Sequence, residues 1–461
     1  MEHAGSNPAG TTGGKTGMDG ITDSELAAFH DTVARLRALP EDDPARRRAE
    51  RVAESFVRDG RQRRRNLRTT ERAEADAKIE AATATGASER REDAPLEMPT
   101  TTEPAVFARA RHCYVCKANY READAFYHRL CPACAALNTE RRNARADLTG
   151  RRVLLTGGRV KIGFQLALMM LRDGAELLVT TRFPHDALRR FEAAPGSEAW
   201  IDRLHVVGID LRDPRQVLAL CDSLREEGKP LDILVNNAAQ TVRRPPEAYA
   251  ALAEREVGAL PAAARVAPGF RPMLSAGLGE ADALALVLAE VDEAGLLPDT
   301  SPVNSWSARI GELDPAEVLE TQLVNALAPT LLCDRLLPLL MASPHPRRYV
   351  VNVTAVEGRF EVRNKMPGHP HTNMAKAALN MLTRTSGPEL SRDGIYMCAV
   401  DTGWITDENP APKKKALADK GFRTPLDIVD GAARVYDPIV RGEAGSPVAG
   451  VFLKDYQEAA W

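Results

Sequence analysis

The chain carries no excess of charge of either sign. It has 61 Lys and Arg against 64 Asp and Glu in 461 residues, a net charge of −3. Nothing global therefore points to nucleic acid or to a charged membrane surface. No apolar run of transmembrane length stands out. The opening stretch MEHAGSNPAGTTGGKTGMDG lacks the basic region and apolar core of a secretory signal. The expectation is a cytoplasmic protein with no membrane segment. Cysteine is sparse, at seven residues, and its distribution excludes a disulfide framework: four cysteines form two C-x-x-C pairs. Cys221, Cys333 and Cys398 lie in apolar stretches and read as buried thiols. This usage fits a reducing compartment and one metal site. A hydrophobic content of 44% is ample for a large core, and the length suggests about three domains.

Residues 1–20 are rich in Gly and Thr and read as disordered. Ala9–Thr16, AGTTGGKT, matches a relaxed phosphate-loop pattern. No strand precedes it, so no phosphate site is assigned there. Residues 21–82 read as helical. Thr22 and Glu25 form a capping-box pair ahead of Leu26, Phe29, Val33 and Leu36 at helical spacing. Asp43-Pro44 starts a second helix dense in arginine, from Arg46 to Arg68. That helix reads either as a surface for an acidic partner or nucleic acid, or as a solvated face balanced by Glu50, Glu54, Asp59 and Glu71. The arginines are not regularly interleaved with aromatic residues, which favours the second, and nucleic-acid binding is not expected. Residues 83–104 read as a linker.

Residues 105–148 hold Cys113-x2-Cys116 and Cys131-x2-Cys134, fourteen residues apart. Two such knuckles supply four thiolates for a tetrahedral Zn2+, and an all-sulfur set leaves no open position, so the site is expected to be structural. His112 and His128 are expected on the surface or behind the ligands. Tyr114, Tyr120, Phe126 and Tyr127 are the expected small core around the metal. Such a module either binds a protein partner or pins the N-terminal segment to the rest of the chain.

From 149 to 461 the pattern is α/β. Strand-like runs at 151–156, 175–181, 204–209, 231–237, 348–354, 395–400 and 450–453 alternate with helical stretches, which predicts a doubly wound parallel sheet buried on both faces. Residues 241–313 interrupt it as an insertion with helical runs near 246–258 and 280–294. Such an insertion falls near the carboxyl ends of the strands, where ligands bind.

Thr156-Gly157-Gly158-Arg159-Val160-Lys161-Ile162-Gly163 follows the first of these strands and opens an amphipathic stretch. That is the context for a pyrophosphate at a helix N-terminus. It resembles the Thr-Gly-x-x-x-Gly-Ile-Gly motif of the short-chain dehydrogenases, with Lys161 at the second glycine. Further motifs occur in that family's order over residues 150–455. Asp210-Leu211 resembles the pair that contacts adenine. Asn236-Asn237-Ala238-Ala239 resembles its Asn-Asn-Ala-Gly. Asn325 matches the helix asparagine of its catalytic set, and Thr406 the threonine that holds the nicotinamide amide. The resemblance implies a Rossmann domain, preceded here by helical segments and the zinc module. It also implies a small-molecule substrate, a homo-oligomer and an NAD(P)(H)-dependent oxidoreductase. Arg182 stands after the second strand, where an NAD site would carry an acidic residue. With Arg159 as a second positive charge, it favours the 2′-phosphate of NADP(H) over NAD(H).

The catalytic positions depart from the family. Its lysine is Lys376, but four residues earlier, where its tyrosine stands, is Thr372, and its serine position is Ala355. Thr354 replaces that serine only if the strand end shifts. A threonine hydroxyl hydrogen-bonds a carbonyl but is a poor acid or base near neutrality. The long segment after the strand brings Glu357, His369 and His371 toward the pocket, and a histidine can carry the proton instead. The alternative is that His369-Pro370-His371 is merely a turn. Three readings stay open: an oxidoreductase with remodelled acid–base residues, a dinucleotide-binding sensor without hydride transfer, and a zinc-module adaptor whose large domain binds no cofactor.

Overall fold

The structure is a computed structural model that describes residues 20–99, 105–272, 291–362 and 365–461. Most of the stretch expected to be disordered (1–19), with its phosphate-loop look-alike, lies outside the described residues. The chain divides into two units, Met1–Glu74 and Ala75–Trp461. In the first, α1 (Asp23–Arg37) begins on the expected capping box, with Thr22 Oγ1 accepting the Glu25 N–H and the Glu25 carboxylate accepting the Thr22 N–H. Helix α2 (Pro44–Ala81) starts where Asp43 accepts the Ala45 and Arg46 N–H groups, and it runs on into the second unit.

The second unit opens with a hairpin, β1 (Ala105–His112) against β2 (Asn119–Ala123), and α3 (Pro132–Arg142). The seven expected strands follow as β3 (Arg152–Thr156), β4 (Glu176–Thr181), β5 (Leu204–Gly208), β6 (Ile233–Asn236), β8 (Arg348–Thr354), β9 (Ile395–Asp401) and β10 (Phe452–Lys454). Besides the β1–β2 hairpin, two strands of the large sheet were not expected: β7 (Ala264–Val266), parallel to β5, and the short antiparallel β11 (Gln457–Ala459). The sheet order is β11-β10-β9-β8-β6-β3-β4-β5-β7. It reverses direction between β3 and β6, the switch point where open α/β sheets bind ligands.

Helices α4 (Lys161–Arg172), α5 (Pro184–Glu192) and α6 (Pro214–Glu227) connect the first strands, and a single turn, α7 (Ala250–Ala253), lies in the insertion. Then come α8 (Pro315–Gln322), a π-helical turn at Leu323–Leu327, α9 (Ala328–Met341), α10 (Pro370–Leu390), α11 (Ala411–Ala418) and α12 (Ile428–Glu443). One sheet face is closed by α4, α5 and α12 through residues such as Met170, Phe191 and Ile439, the other by α6 and α9 through Leu224, Leu332 and Leu336. The sequence reading missed that Pro315–Met341 is long and apolar enough to cross a membrane. Leu332, Leu336, Leu339 and Leu340 are buried against the sheet, whereas Leu319 and Leu327 are exposed.

Two local expectations are corrected, and a third falls mostly outside the described residues. Of the helical run near 280–294, residues 280–290 lie outside the described residues, and 291–294 form no helix. The run near 246–258 contracts to a 3-10 turn at Pro246–Tyr249 and α7. Residues 83–99, read as a linker, are fastened along their length. Thr85 N–H donates to Phe126 O (2.8 Å), Arg90 donates to Thr424 O and Leu426 O (2.6 Å each), and Leu96 N–H to Asp427 (2.9 Å).

Candidate dinucleotide cleft and four-cysteine centre

Beta-strand β3 ends in Thr156, whose Oγ1 accepts the backbone N–H groups of Asn237 and Ala238 (3.0 Å each). Asn237 Nδ2 donates back to Thr156 O and Gly157 O (3.0 Å each). The glycine-rich turn is thus tied to the end of β6 across the switch point. A Cβ on Gly163 would lie 2.1 Å from Gly157 O, so only glycine lets α4 approach this closely. Val160, the N-cap of α4, gives no side-chain cap, which leaves the first N–H groups of the helix free for an anion. Lys161 adopts the left-handed conformation its glycine counterpart would, at φ 53°.

A cleft of about 710 Å³ opens above this turn. Of the residues expected to hold cofactor, Gly157, Arg159, Lys161, Ile162, Gly163, Arg182, Asp210, Leu211, Asn237 and Ala238 line it, whereas Thr156, Lys376 and Thr406 do not. Arg182 stacks on the Tyr249 ring at 4.9 Å, donates to its hydroxyl (3.2 Å) and has no carboxylate at salt-bridge distance among the described residues. Arg159 differs from expectation. Its guanidinium is 8% exposed and committed to Asp186 (2.6 Å) and Ala294 O, so it is no spare charge for a phosphate. Asp210 is held by Arg212, and although burial opposes ionisation that guanidinium lowers its pKa. Thr406 donates to Glu408 (3.0 Å) at the cleft rim. Lys161 Nζ sits 2.9 Å from Asp93 and 3.8 Å from Glu408. Burial disfavours its charge, but Glu408 and Asp93 outweigh that and raise its pKa.

The catalytic positions are buried and none lines the cleft. Lys376 Nζ donates to Val353 O (2.9 Å), and Thr354 Oγ1 points to Lys376 O at 3.5 Å. Asn325, in the π-helical turn, brackets the backbone of Gln240 by accepting its N–H and donating to its carbonyl (2.7 and 3.0 Å). Thr372 Oγ1 is buried with no hydrogen-bond partner among the described residues. His371 turns toward α8, with Nε2 3.7 Å from Glu317 and its carbonyl receiving Gln322 Nε2. His369 stacks on Trp306 at 3.9 Å between centroids and bonds the Trp306 carbonyl. The His369-Pro370-His371 segment is thus the start of α10; the His369 ring is engaged by Trp306, whereas both His371 ring nitrogens are buried without a hydrogen-bond partner among the described residues. Tyr249, Trp306, Asp93 and Glu408 were missed, because each meets its partner across a long sequence separation with no local motif.

Burial lowers the Lys376 pKa from 10.5 to about 8, against the opposing pull of Glu357. Between these two pH values the unfolded chain holds a proton that the folded chain has released. Stability should therefore rise with pH across that window, and the burial penalty should be undiminished below about 8. Denaturant titrations should show this rise in wild type relative to Lys376→Met, on the order of 2–3 kcal/mol. Parallel curves for the two proteins would refute it.

The four sulfurs of Cys113, Cys116, Cys131 and Cys134 lie within 4.8 Å of one another, and Cys116 and Cys131 are 3.7 Å apart. Tetrahedral thiolates around Zn2+ stand about 3.8 Å apart, so the set fits that ion. Cys131 N–H donates to Cys113 Sγ (3.4 Å). Burial raises the Cys113 pKa, but backbone N–H groups outweigh it and bring it down to about 7. Burial and the neighbouring sulfurs push Cys134 up, so four thiolates share this space only around a cation. His112 is exposed. His128 is buried on Thr85 Oγ1 (2.8 Å), and burial takes its pKa down to about 3. The core around the knuckles contains Tyr120, Phe126 and Tyr127 as expected, but it is continuous with Ile405, Leu426 and Ile428 of the large domain. Tyr127 donates to Asp430 (2.6 Å), and Trp404 N–H donates to the Tyr114 hydroxyl (2.9 Å).

A doubly wound sheet with a glycine-rich turn at its switch point defines a dinucleotide-binding α/β protein. A family model described as short chain dehydrogenase matches residues 151–257, and one described as Enoyl-(Acyl carrier protein) reductase matches residues 291–425. An uncharacterized protein of Acanthamoeba polyphaga mimivirus is 30% identical over 351 residues, 71% of each chain. A probable oxidoreductase of Streptomyces lividans is 37% identical over 92 residues, 20% of this chain and 29% of that one. A short chain dehydrogenase from Burkholderia cenocepacia in complex with NADP is 22% identical, with a TM-score of 0.45, over 67% of this chain and 97% of that one. The chain belongs to the short-chain dehydrogenase family of oxidoreductases. Residues 258–290, between the two matched stretches, include β7.

Proposed function

We propose that this chain is an NADP(H)-dependent oxidoreductase acting on a carbonyl–alcohol pair with rebuilt acid–base residues, and that its four cysteines hold a structural Zn2+. The observation that carries the cofactor choice is Arg182, poised on Tyr249 after β4 without a carboxylate partner among the described residues. The nicotinamide, when bound, supplies or accepts the hydride. The turn at Gly157–Gly163 and Asn237 would seat the diphosphate, and Arg182 a 2′-phosphate. For the proton, Lys376 is the better store than His371, because burial brings its pKa to about 8 while His371 faces α8. Thr372, one helical turn before Lys376 on the same face, carries a buried hydroxyl free to bond a substrate oxygen. The zinc module would act mainly by holding the knuckle core against α12 and the loop after β9. A small-molecule substrate and assembly into a homo-oligomer belong to the same reading.

Titration with NADPH and NADH tests the cofactor. Wild type should prefer NADPH by about tenfold or more, in keeping with the loss of one charge-assisted phosphate contact, and Arg182→Ala should abolish the preference. Equal affinities in wild type would remove NADP(H), and no binding of either would leave only the adaptor reading. Transfer of labelled hydride from NADPH to a panel of aldehydes and ketones tests the chemistry. The sensor reading is favoured by one observation, the absence of Thr354, Thr372 and Lys376 from the cleft lining. Binding without transfer to any of the panel would favour it.

A further inference from the structure

The segment fastened at Thr85, Arg90 and Leu96 carries Asp93 into the dinucleotide cleft. Asp93 has left-handed backbone, φ 61°, and its side chain is 9% exposed. One carboxylate oxygen lies 2.9 Å from Lys161 Nζ, and the other is buried with no hydrogen-bond partner among the described residues. Lys161 begins α4, whose first N–H groups have no side-chain cap. An ammonium and a free helix N-terminus on one turn favour an anion there. In this structure the anion at Lys161 comes from the chain itself, from Asp93 with Glu408 behind it.

We propose that Asp93 is a built-in competitor for Lys161: the strap carboxylate holds that ammonium at rest, and the diphosphate of an entering dinucleotide takes its place and releases the strap. The idea rests on the dinucleotide reading above. Its energetics are plausible on two grounds. A diphosphate brings more charge than a single carboxylate. A buried carboxylate with an unpaired oxygen is also held at a cost, which leaves the resting contact weak enough to exchange. Burial raises the Asp93 pKa despite Lys161, in line with an incompletely satisfied ion.

The test is NADPH affinity, by calorimetry, in full-length wild type, Asp93→Asn, Lys161→Met and the double variant. If about nine-tenths of the resting protein is latched, Asp93→Asn should bind about tenfold tighter. That gain should vanish when Lys161 is Met, since the two residues act through one contact. Hydrogen exchange over residues 87–96 should speed up when NADPH binds to wild type. Unchanged or weaker binding by Asp93→Asn, or strap amides that become protected by NADPH, would overturn the latch and leave the cofactor reading intact. If neither wild type nor Asp93→Asn binds a dinucleotide, the cofactor reading falls and takes the latch with it.

Discussion

Serine at Cys113 should strip the chain of its zinc, from about one ion per molecule to nearly none by elemental analysis, and should destabilise far more than the knuckle. Each hard-to-replace thiolate contributes to a site whose binding free energy in isolated knuckle peptides is on the order of 10–16 kcal/mol. Even half of that is comparable with the stability of many whole domains. The damage should spread because the core beside Cys113 is not private to the module. Phe126 and Tyr127 share it with Ile405, Leu426 and Ile428. Tyr114, next to Cys113, holds the backbone of Trp404, two residues before Thr406. Cys113→Ser should therefore lower the midpoint of thermal unfolding and also weaken NADPH binding. Cys221→Ser, in α6 and remote from the sulfurs, should leave the zinc content unchanged. A wild-type chain purified without chelators that carries no zinc would defeat the metal assignment. A zinc-free variant with normal stability would defeat its structural role.

The readable parts of this chain are those where one local pattern has one physical cause. Seven buried runs without polar alternation made the parallel sheet legible, because strands covered on both faces have no solvent side to mark. The four-cysteine cluster was legible because two C-x-x-C pairs at this spacing commonly converge on one point. The cleft residues around the glycine-rich turn followed from that turn's motif. The rest depends on contacts between distant segments. Asp93 meets Lys161 from a stretch whose composition reads as a linker, and Tyr249 meets Arg182 from the insertion. Arg159 looked like a phosphate ligand because nothing local reveals that Asp186 already holds it. His371 stayed open between proton carrier and turn because sequence gives its distance from Lys376 along the helix but not the presence of Glu317 on the helix it faces.

Two substitutions in the glycine-rich turn, one adding a side chain and one removing it, should differ sharply in outcome. Gly163→Ala places a methyl 2.1 Å from Gly157 O and 2.6 Å from Asn237 Nδ2. Neither can yield cheaply: the first is backbone of the turn itself, and the second already bonds Thr156 O and Gly157 O. Alpha-helix α4 must move back from β3. A shift of about 1 Å at a binding turn can cost roughly 100-fold, so NADPH affinity should fall by about that much. Overpacking of this kind should also lower stability by about 1–3 kcal/mol. Lys161→Gly does the reverse at a position with φ 53°. It removes the roughly 1–2 kcal/mol that a side chain costs in left-handed backbone, while losing the pairing with Asp93 and Glu408. These effects oppose each other, so its stability should stay within about 1 kcal/mol of wild type. Chemical denaturation of both variants beside wild type decides the matter. A Gly163→Ala protein as stable as wild type and with unchanged NADPH affinity would mean that the turn is not held as tightly as Thr156 and Asn237 hold it here.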